Sequence, residues 1–103
     1  MSAYYILTHT ITDPERYQRE YIVHATPILM RHHGEIVVAT FKAEPLQGSP
    51  PEGVVVARFP SEEHIRAFVN DPEYQPLKEI RLALTTNASA LLAPEFVMPS
   101  RDS

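Results

Sequence analysis

A chain of 103 residues, 44% apolar and 21% charged, suffices for one domain with a modest core and is too apolar for a wholly disordered segment. Its formal charge of −4, with nine Lys and Arg scattered along it, argues against a nucleic-acid partner, whose phosphates call for clustered cations. Absence of cysteine removes disulfides, thiolate nucleophiles and thiolate metal ligands, and no run approaches the ~20 consecutive apolar residues of a membrane span. The start, "MSAYYILTHT", has no basic segment leading into an apolar run, so a cytoplasmic location is expected.

Ala3 to Ile11 alternates with period two, Tyr5, Leu7, His9 and Ile11 against Tyr4, Ile6, Thr8 and Thr10, which predicts a first strand. "TDPERY" then starts a helix, with Asp13 capping free N–H groups and Pro14 at the first helical position. Tyr17, Tyr21, His24, Ala25, Ile28 and Leu29 make its apolar side at spacings of three and four, Pro27 should kink or interrupt it, and Gly34 is the expected left-handed stop after His33. Glu35 to Phe41 reads as a second strand and "KAEPLQGSPPEG" as an irregular margin with prolines that block ladder bonds. Gly53 to Ser61 is a third strand ending in a turn. Ser61 caps a helix over Glu62 to Asn70, Asp71-Pro72-Glu73 starts another that runs to about Thr85, and Ala88 to Leu92 is a fourth strand. One domain over residues 1–93 and an extended tail over 94–103 follow.

Strand, helix, strand, then strand, helix, strand, with Asp-Pro-Glu opening a helix at 13–15 and again at 71–73, is the pattern of a βαββαβ ferredoxin-like α+β sandwich with a four-stranded antiparallel sheet. Two main helices cover one sheet face only. "IVVATF" and "VVVARF" are apolar on both sides, and each Val-sized side chain left in water forfeits roughly 1.5–3 kcal/mol. An isologous homodimer through the open sheet face is therefore expected. The competing reading is that the tail, with Phe96, Val97 and Met98, folds across that face.

In this order and spacing, "TDPERYQREY", "HHG", "FPSEEHIRAF" and "DPEYQPLKEIR" resemble the bacterial domain-of-unknown-function family 1330 of the dimeric α/β-barrel superfamily, over about Ala3 to Leu92. The most specific part is Phe59-Pro60-Ser61 followed by Pro72-Glu73-Tyr74-Gln75 and Arg81. The resemblance implies a ferredoxin-like fold whose sheets pair in a dimer. It implies no single reaction, because superfamily relatives include cofactor-free monooxygenases, polyketide cyclases, lactone isomerases and haem-degrading enzymes. Two departures from the family pattern stand out: Ala39-Thr40-Phe41 where Arg-Gly-Gly is common, and Phe68-Val69 where an aromatic pair is common.

Five histidines raise the question of a metal. His32 and His33 are ~100° apart on a helix and His24 lies ~12 Å from His32 along it, so no metal site is expected. His9 and His24 share apolar sides with tyrosines. Should those sides converge, imidazoles and phenols meet in an apolar cavity, the setting in which a pKa is tuned for proton transfer; otherwise each imidazole is a hydrogen-bonded core residue. Arg58 interrupts an apolar strand face and wants an anion or a carboxylate: it is a clamp for a ligand carboxylate or enolate, or else an intermolecular salt-bridge residue or one exposed at the strand's end. Tyr74 either plugs its helix onto the sheet or offers its hydroxyl to the cavity. Arg81 matches the family motif and is read as structural, pairing with Asp13, Asp71 or Glu73. The expectation is a small organic ligand and no cofactor, with His9 and His24 as catalytic acid/base groups and Tyr17, Tyr21, Arg58 and Tyr74 binding substrate. The reaction would be of cofactor-free isomerase, cyclase or monooxygenase type, and the alternative is a non-catalytic ligand-binding or assembly module.

Overall fold

The computed structural model describes residues 1–100. Strand β1 (Ala3–Ile11) leads through a short α1 (Pro14–Arg16) into a π-helical segment (Tyr17–Ile22) and α2 (Val23–Arg31), which are continuous. Strands β2 (Glu35–Thr40) and β3 (Gly53–Phe59), helices α3 (Glu62–Val69) and α4 (Gln75–Ala83), and strand β4 (Thr85–Pro94) follow. All pairings are antiparallel and the order is β2-β3-β1-β4, the ferredoxin-like arrangement. The fourth strand is longer than expected at both ends. The expected tail over 94–103 includes residues 101–103, which lie outside the described residues.

The caps act as their residue types require. The Asp13 carboxylate accepts from the Arg16 N–H at 3.1 Å and the Ser61 hydroxyl from the His64 N–H at 3.3 Å. Asp71 opens a turn and not a helix: its carboxylate accepts from the Glu73 N–H at 2.8 Å and its carbonyl from the Tyr74 N–H at 2.9 Å, so Tyr74 is the residue before α4. The same carboxylate receives Arg31 Nη2 at 2.9 Å and His32 Nε2 at 2.7 Å, tying the end of α2 to this turn. Those bonds, the His32 contact first, hold Asp71 down at a pKa of about 2.

The first helix differs from expectation in two places. Its π-helical turn, in which the Val23 N–H reaches the Gln18 carbonyl five residues back, inserts one residue into the helical phase. Ala25 therefore occupies the inward position that straight α-helical spacing gives to His24, and His24 is exposed. The helix also passes through Pro27 without ending, with the Thr26 hydroxyl donating to the Ile22 carbonyl at 2.8 Å just before it. At the stop, the left-handed residue is His33, at φ 66°, and not Gly34. Gly34 is required for space: a Cβ there would lie 2.7 Å from Leu29 Cδ2 and from Phe59 Cε1 and Cζ. Gly34→Ala should therefore lower unfolding stability by about 1–3 kcal/mol, read by urea titration, because Phe59 is held in the core and cannot retreat.

The core lies between the helices and one sheet face. Tyr5, Leu7 and His9 of β1 and Ala57 and Phe59 of β3 face inward against Tyr17, Tyr21, Leu29, Ile65, Phe68 and Tyr74. The opposite face has no helix over it. Register places Val38, Val56, Ile6 and Leu91 in one row across all four strands, flanked by a row of Glu35, Arg58, Tyr4 and Ala93 and a row of Thr40, Val54, Thr8 and Ser89. Val38 is 44% exposed and Leu91 56%. Phe96, Val97 and Met98 are exposed themselves, so the described part of the tail does not bury its apolar side chains on this face.

Candidate functional site

Where the π-helical turn faces the sheet, the wider helix sets two tyrosines one above the other. Tyr17 and Tyr21 have ring centroids 5.0 Å apart, and both are buried. Beside them is an apolar cavity of about 80 Å³ bounded by Tyr5 and Leu7 of β1, Ala25 and Leu29 of α2, and Val55 and Ala57 of β3, with Ile36 and Ala39 of the edge strand at its exposed side. No carboxylate or imidazole lines it.

Across from Tyr21, the Tyr74 hydroxyl lies 2.6 Å from the Tyr21 hydroxyl. Tyr74 is also adjacent to Tyr5 and to the Arg81 guanidinium. Arg81 is 4% exposed and, among the described residues, belongs to no ion pair. The pairings expected for it do not form: Asp71 and Glu73 go to Arg31, and Asp13 caps the first helix. A buried guanidinium with five N–H donors and three phenol hydroxyls form a cluster that, among the described residues, holds no carboxylate. Such a cluster has donors to spare for an oxygen supplied from outside. Burial pushes the Tyr5, Tyr17 and Tyr21 phenols well above their ordinary pKa, so they remain neutral donors at physiological pH.

Behind Tyr17, with ring centroids 5.5 Å apart, His9 is fully buried. Among the described residues neither of its ring nitrogens has a hydrogen-bond partner, nor do the Tyr17 hydroxyl and Arg81 Nε. Leaving a buried polar atom unpaired costs roughly 1–3 kcal/mol, and these four atoms belong to three neighbouring side chains of one cluster. Gly53 makes room for the imidazole, since a Cβ there would stand 2.8 Å from His9 Cδ2 and 2.6 Å from its carbonyl oxygen.

Burial first, and then the nearby Arg81 charge, hold the His9 pKa below its ordinary value. The imidazole is thus neutral in the folded protein, while the unfolded chain takes up its proton near pH 6.5. Below that pH the unfolded state binds more protons, so His9 makes stability fall as pH drops from about 7 toward 5. Thermal unfolding across this range should show the fall in the wild type and a flatter profile in His9→Gln.

Of the residues singled out from sequence, His9, Tyr17, Tyr21 and Tyr74 come together and two do not. His24 is on the outer side of α2, for the reason of helical phase given above. Arg58 lies on the open sheet face, where its Nη2 meets Glu35 Oε1 at 2.5 Å with both side chains about half exposed. It is an ion-pair residue there and not an anion clamp in the cavity. Two of the three remaining histidines also have local hydrogen-bond partners, His32 on Asp71 and His64 on the Ser61 hydroxyl at 2.7 Å. Among the described residues no three His, Asp or Glu side chains are placed to share a metal ion. Arg81 and Tyr5 were the residues sequence reasoning missed. A signal existed, because Leu77, Arg81 and Leu84 fall at helical spacing, and that places the arginine on the inward stripe.

This arrangement of sheet, helices and cluster can be set beside known proteins. The sequence profile of DUF1330, a domain of unknown function, matches residues 2–94. The chain belongs to the DUF1330 family. No curated protein matches it in sequence. Among solved structures, a protein of unknown function from Rhodopseudomonas palustris is similar at TM-score 0.75 and 16% identity, covering 94% of this chain and 84% of the other. SnoaB, a cofactor-independent oxygenase from Streptomyces nogalater, is similar at TM-score 0.67 and 17% identity, covering 96% and 98%. A dimeric ferredoxin-like protein of unknown function from Thermobifida fusca is similar at TM-score 0.58 and 15% identity, covering 92% of each chain. These likenesses establish that the DUF1330 domain here has the ferredoxin-like fold. No helix among the described residues is long and apolar enough to cross a membrane.

Proposed function

We propose that this DUF1330 protein is a cytoplasmic homodimer that binds a small organic molecule in the cavity between the π-helical turn and the sheet, and that it works on that molecule without a cofactor. The observation that carries the reading is the group of unpaired buried polar atoms on His9, Tyr17 and Arg81 beside an apolar cavity. Apolar walls favour a small, mostly hydrocarbon body, and the phenols favour one carbonyl or phenolic oxygen on it. The second copy covers the row of Val38, Val56, Ile6 and Leu91, as expected for an apolar sheet face that its own chain leaves bare. The dimeric state of the Thermobifida fusca neighbour and the cofactor-independent chemistry of SnoaB are in keeping with both parts.

The acid/base form of this reading assigns Tyr21, which lines the cavity, as the hydrogen-bond donor at the ligand oxygen, stabilising charge as it develops, and His9 as the proton acceptor reached through Tyr17: the Tyr17 oxygen takes the C–H proton as its own proton passes to His9 behind it. Two experiments separate binding from chemistry. In an NMR titration, phenol should give saturable shifts at residues of the π-helical turn, and Ala25→Leu, which fills the cavity, should abolish them. With a small 1,3-diketone in deuterated water, the protein should accelerate exchange of the acidic C–H. His9→Gln and Tyr17→Phe should each lose at least tenfold of that acceleration, and His24→Gln should lose none. Exchange unchanged in His9→Gln removes the catalytic assignment and leaves a binding module; an absence of saturable phenol shifts at millimolar concentration removes both.

A further inference from the structure

A second cavity, of about 300 Å³, opens on the opposite flank of the aromatic cluster, between α3, α4 and the inward side of β1 and β4. Its charged lining is of one sign: Arg66, Lys78 and Arg81, with no carboxylate. Arg66 is engaged by Glu62 at 3.5 Å near the surface, whereas Lys78, also exposed, is in no ion pair among the described residues. Arg81 is the unusual member. It is nine-tenths buried and more, and among the described residues its Nε has no partner and no acidic side chain is paired with it. The phenols beside it, Tyr5 and Tyr74, add hydroxyl groups and no carboxylate. Ile65, Val69 and Leu92 give the rest of the cavity an apolar wall.

A buried guanidinium is normally matched by a carboxylate, because the desolvated charge is otherwise uncompensated and the planar fork of donors fits two oxygens at once. Here the described residues set phenols beside that fork and supply no anion. From this juxtaposition we propose that the second cavity is a binding site for a small organic carboxylate, its carboxylate on Arg81 beside the Tyr74 hydroxyl, its apolar body against Ile65, Val69 and Leu92, and Lys78 at the rim. The site lies across Tyr5 from the apolar cavity and goes beyond the reading given above, since it needs neither the phenol-binding cavity nor proton transfer by His9. The apolar wall distinguishes an organic acid from a free inorganic anion, which would gain nothing from it.

Benzoate is a probe of suitable size and chemistry, with benzamide as its neutral counterpart and inorganic phosphate as the purely ionic one. At fixed ionic strength, titration of the full chain by isothermal calorimetry and by side-chain NMR of arginine should show saturable benzoate binding that moves the Arg81 signal. Benzamide should bind at least tenfold more weakly, and phosphate should not compete. Arg81→Met should abolish benzoate binding, Lys78→Gln should weaken it two- to fivefold, and His9→Gln should leave it unchanged. Should Arg81→Met fail to fold, the Lys78→Gln variant and the benzoate–benzamide comparison on the wild type still decide. Equal binding of benzamide, competition by phosphate, or no saturation by benzoate at millimolar concentration overturns the proposal.

Discussion

Replacing Arg81 by Met should make the unliganded protein more stable. A buried cation without a carboxylate partner is a standing cost, and replacing buried charges by apolar groups of similar length is often neutral or stabilising by about 1–4 kcal/mol. Arg81 fits that description: it is nearly fully buried, it has no ion pair among the described residues, and Leu77 and Tyr74 on the same helical side are buried with it. The expected result is a higher unfolding midpoint in urea for Arg81→Met, together with loss of benzoate binding. That combination is the signature of a residue kept for a ligand at the expense of the empty fold. An unfolding free energy lowered by about 2 kcal/mol or more would show instead that the guanidinium, through its approach to Tyr74, holds the core together.

Replacing Val56 by Asp should split the homodimer proposed above. Val56 stands in the middle of the apolar row, paired across the sheet with Ile6 on one side and Val38 on the other. In an isologous interface the substitution appears twice, so two carboxylates would be desolvated on a surface that otherwise buries valine, isoleucine and leucine. Sedimentation velocity should then find Val56→Asp monomeric at concentrations where the wild type is dimeric. The thermal midpoint should fall with it and lose its dependence on protein concentration. Within one chain Val56 is only partly buried, so a monomeric but folded variant is the expected state. A Val56→Asp protein that remains dimeric would place the interface elsewhere.

The sheet was legible because its signals are local and redundant. Alternation of Tyr5, Leu7 and His9 with Tyr4, Ile6 and Thr8 sets the two faces of β1, and the same period in Val54 to Phe59 sets those of β3, so the bare face could be read before any register was known. The caps at Asp13 and Ser61 were equally direct. The losses came where a single residue's phase or charge depends on distant parts of the chain. His24 moved outward because a π-helical turn adds one residue between Tyr21 and the next inward position, and nothing in "YQREYI" announces that wider turn. The left-handed residue fell on His33 because Gly34 is pressed against Leu29 and Phe59, a tertiary contact. Arg81 lay on the apolar stripe of its helix, but Asp13, Asp71 and Glu73 all offered plausible partners in sequence; only the fold spends them on Arg31 and on a helix cap. The cluster of phenols was partly visible as Tyr17 and Tyr21 on one helical side. Its charged member was not.

The proposed function depends on a division of labour between the two sheet faces, in which one face would meet a second copy and the other, under the helices, would keep its cavities for ligand. Sedimentation equilibrium of the wild-type protein at micromolar concentration tests that division most directly. A single species of twice the 11.7 kDa chain mass is the predicted result. A single species of one chain mass, with the row from Val38 to Leu91 open to solvent, would contradict it.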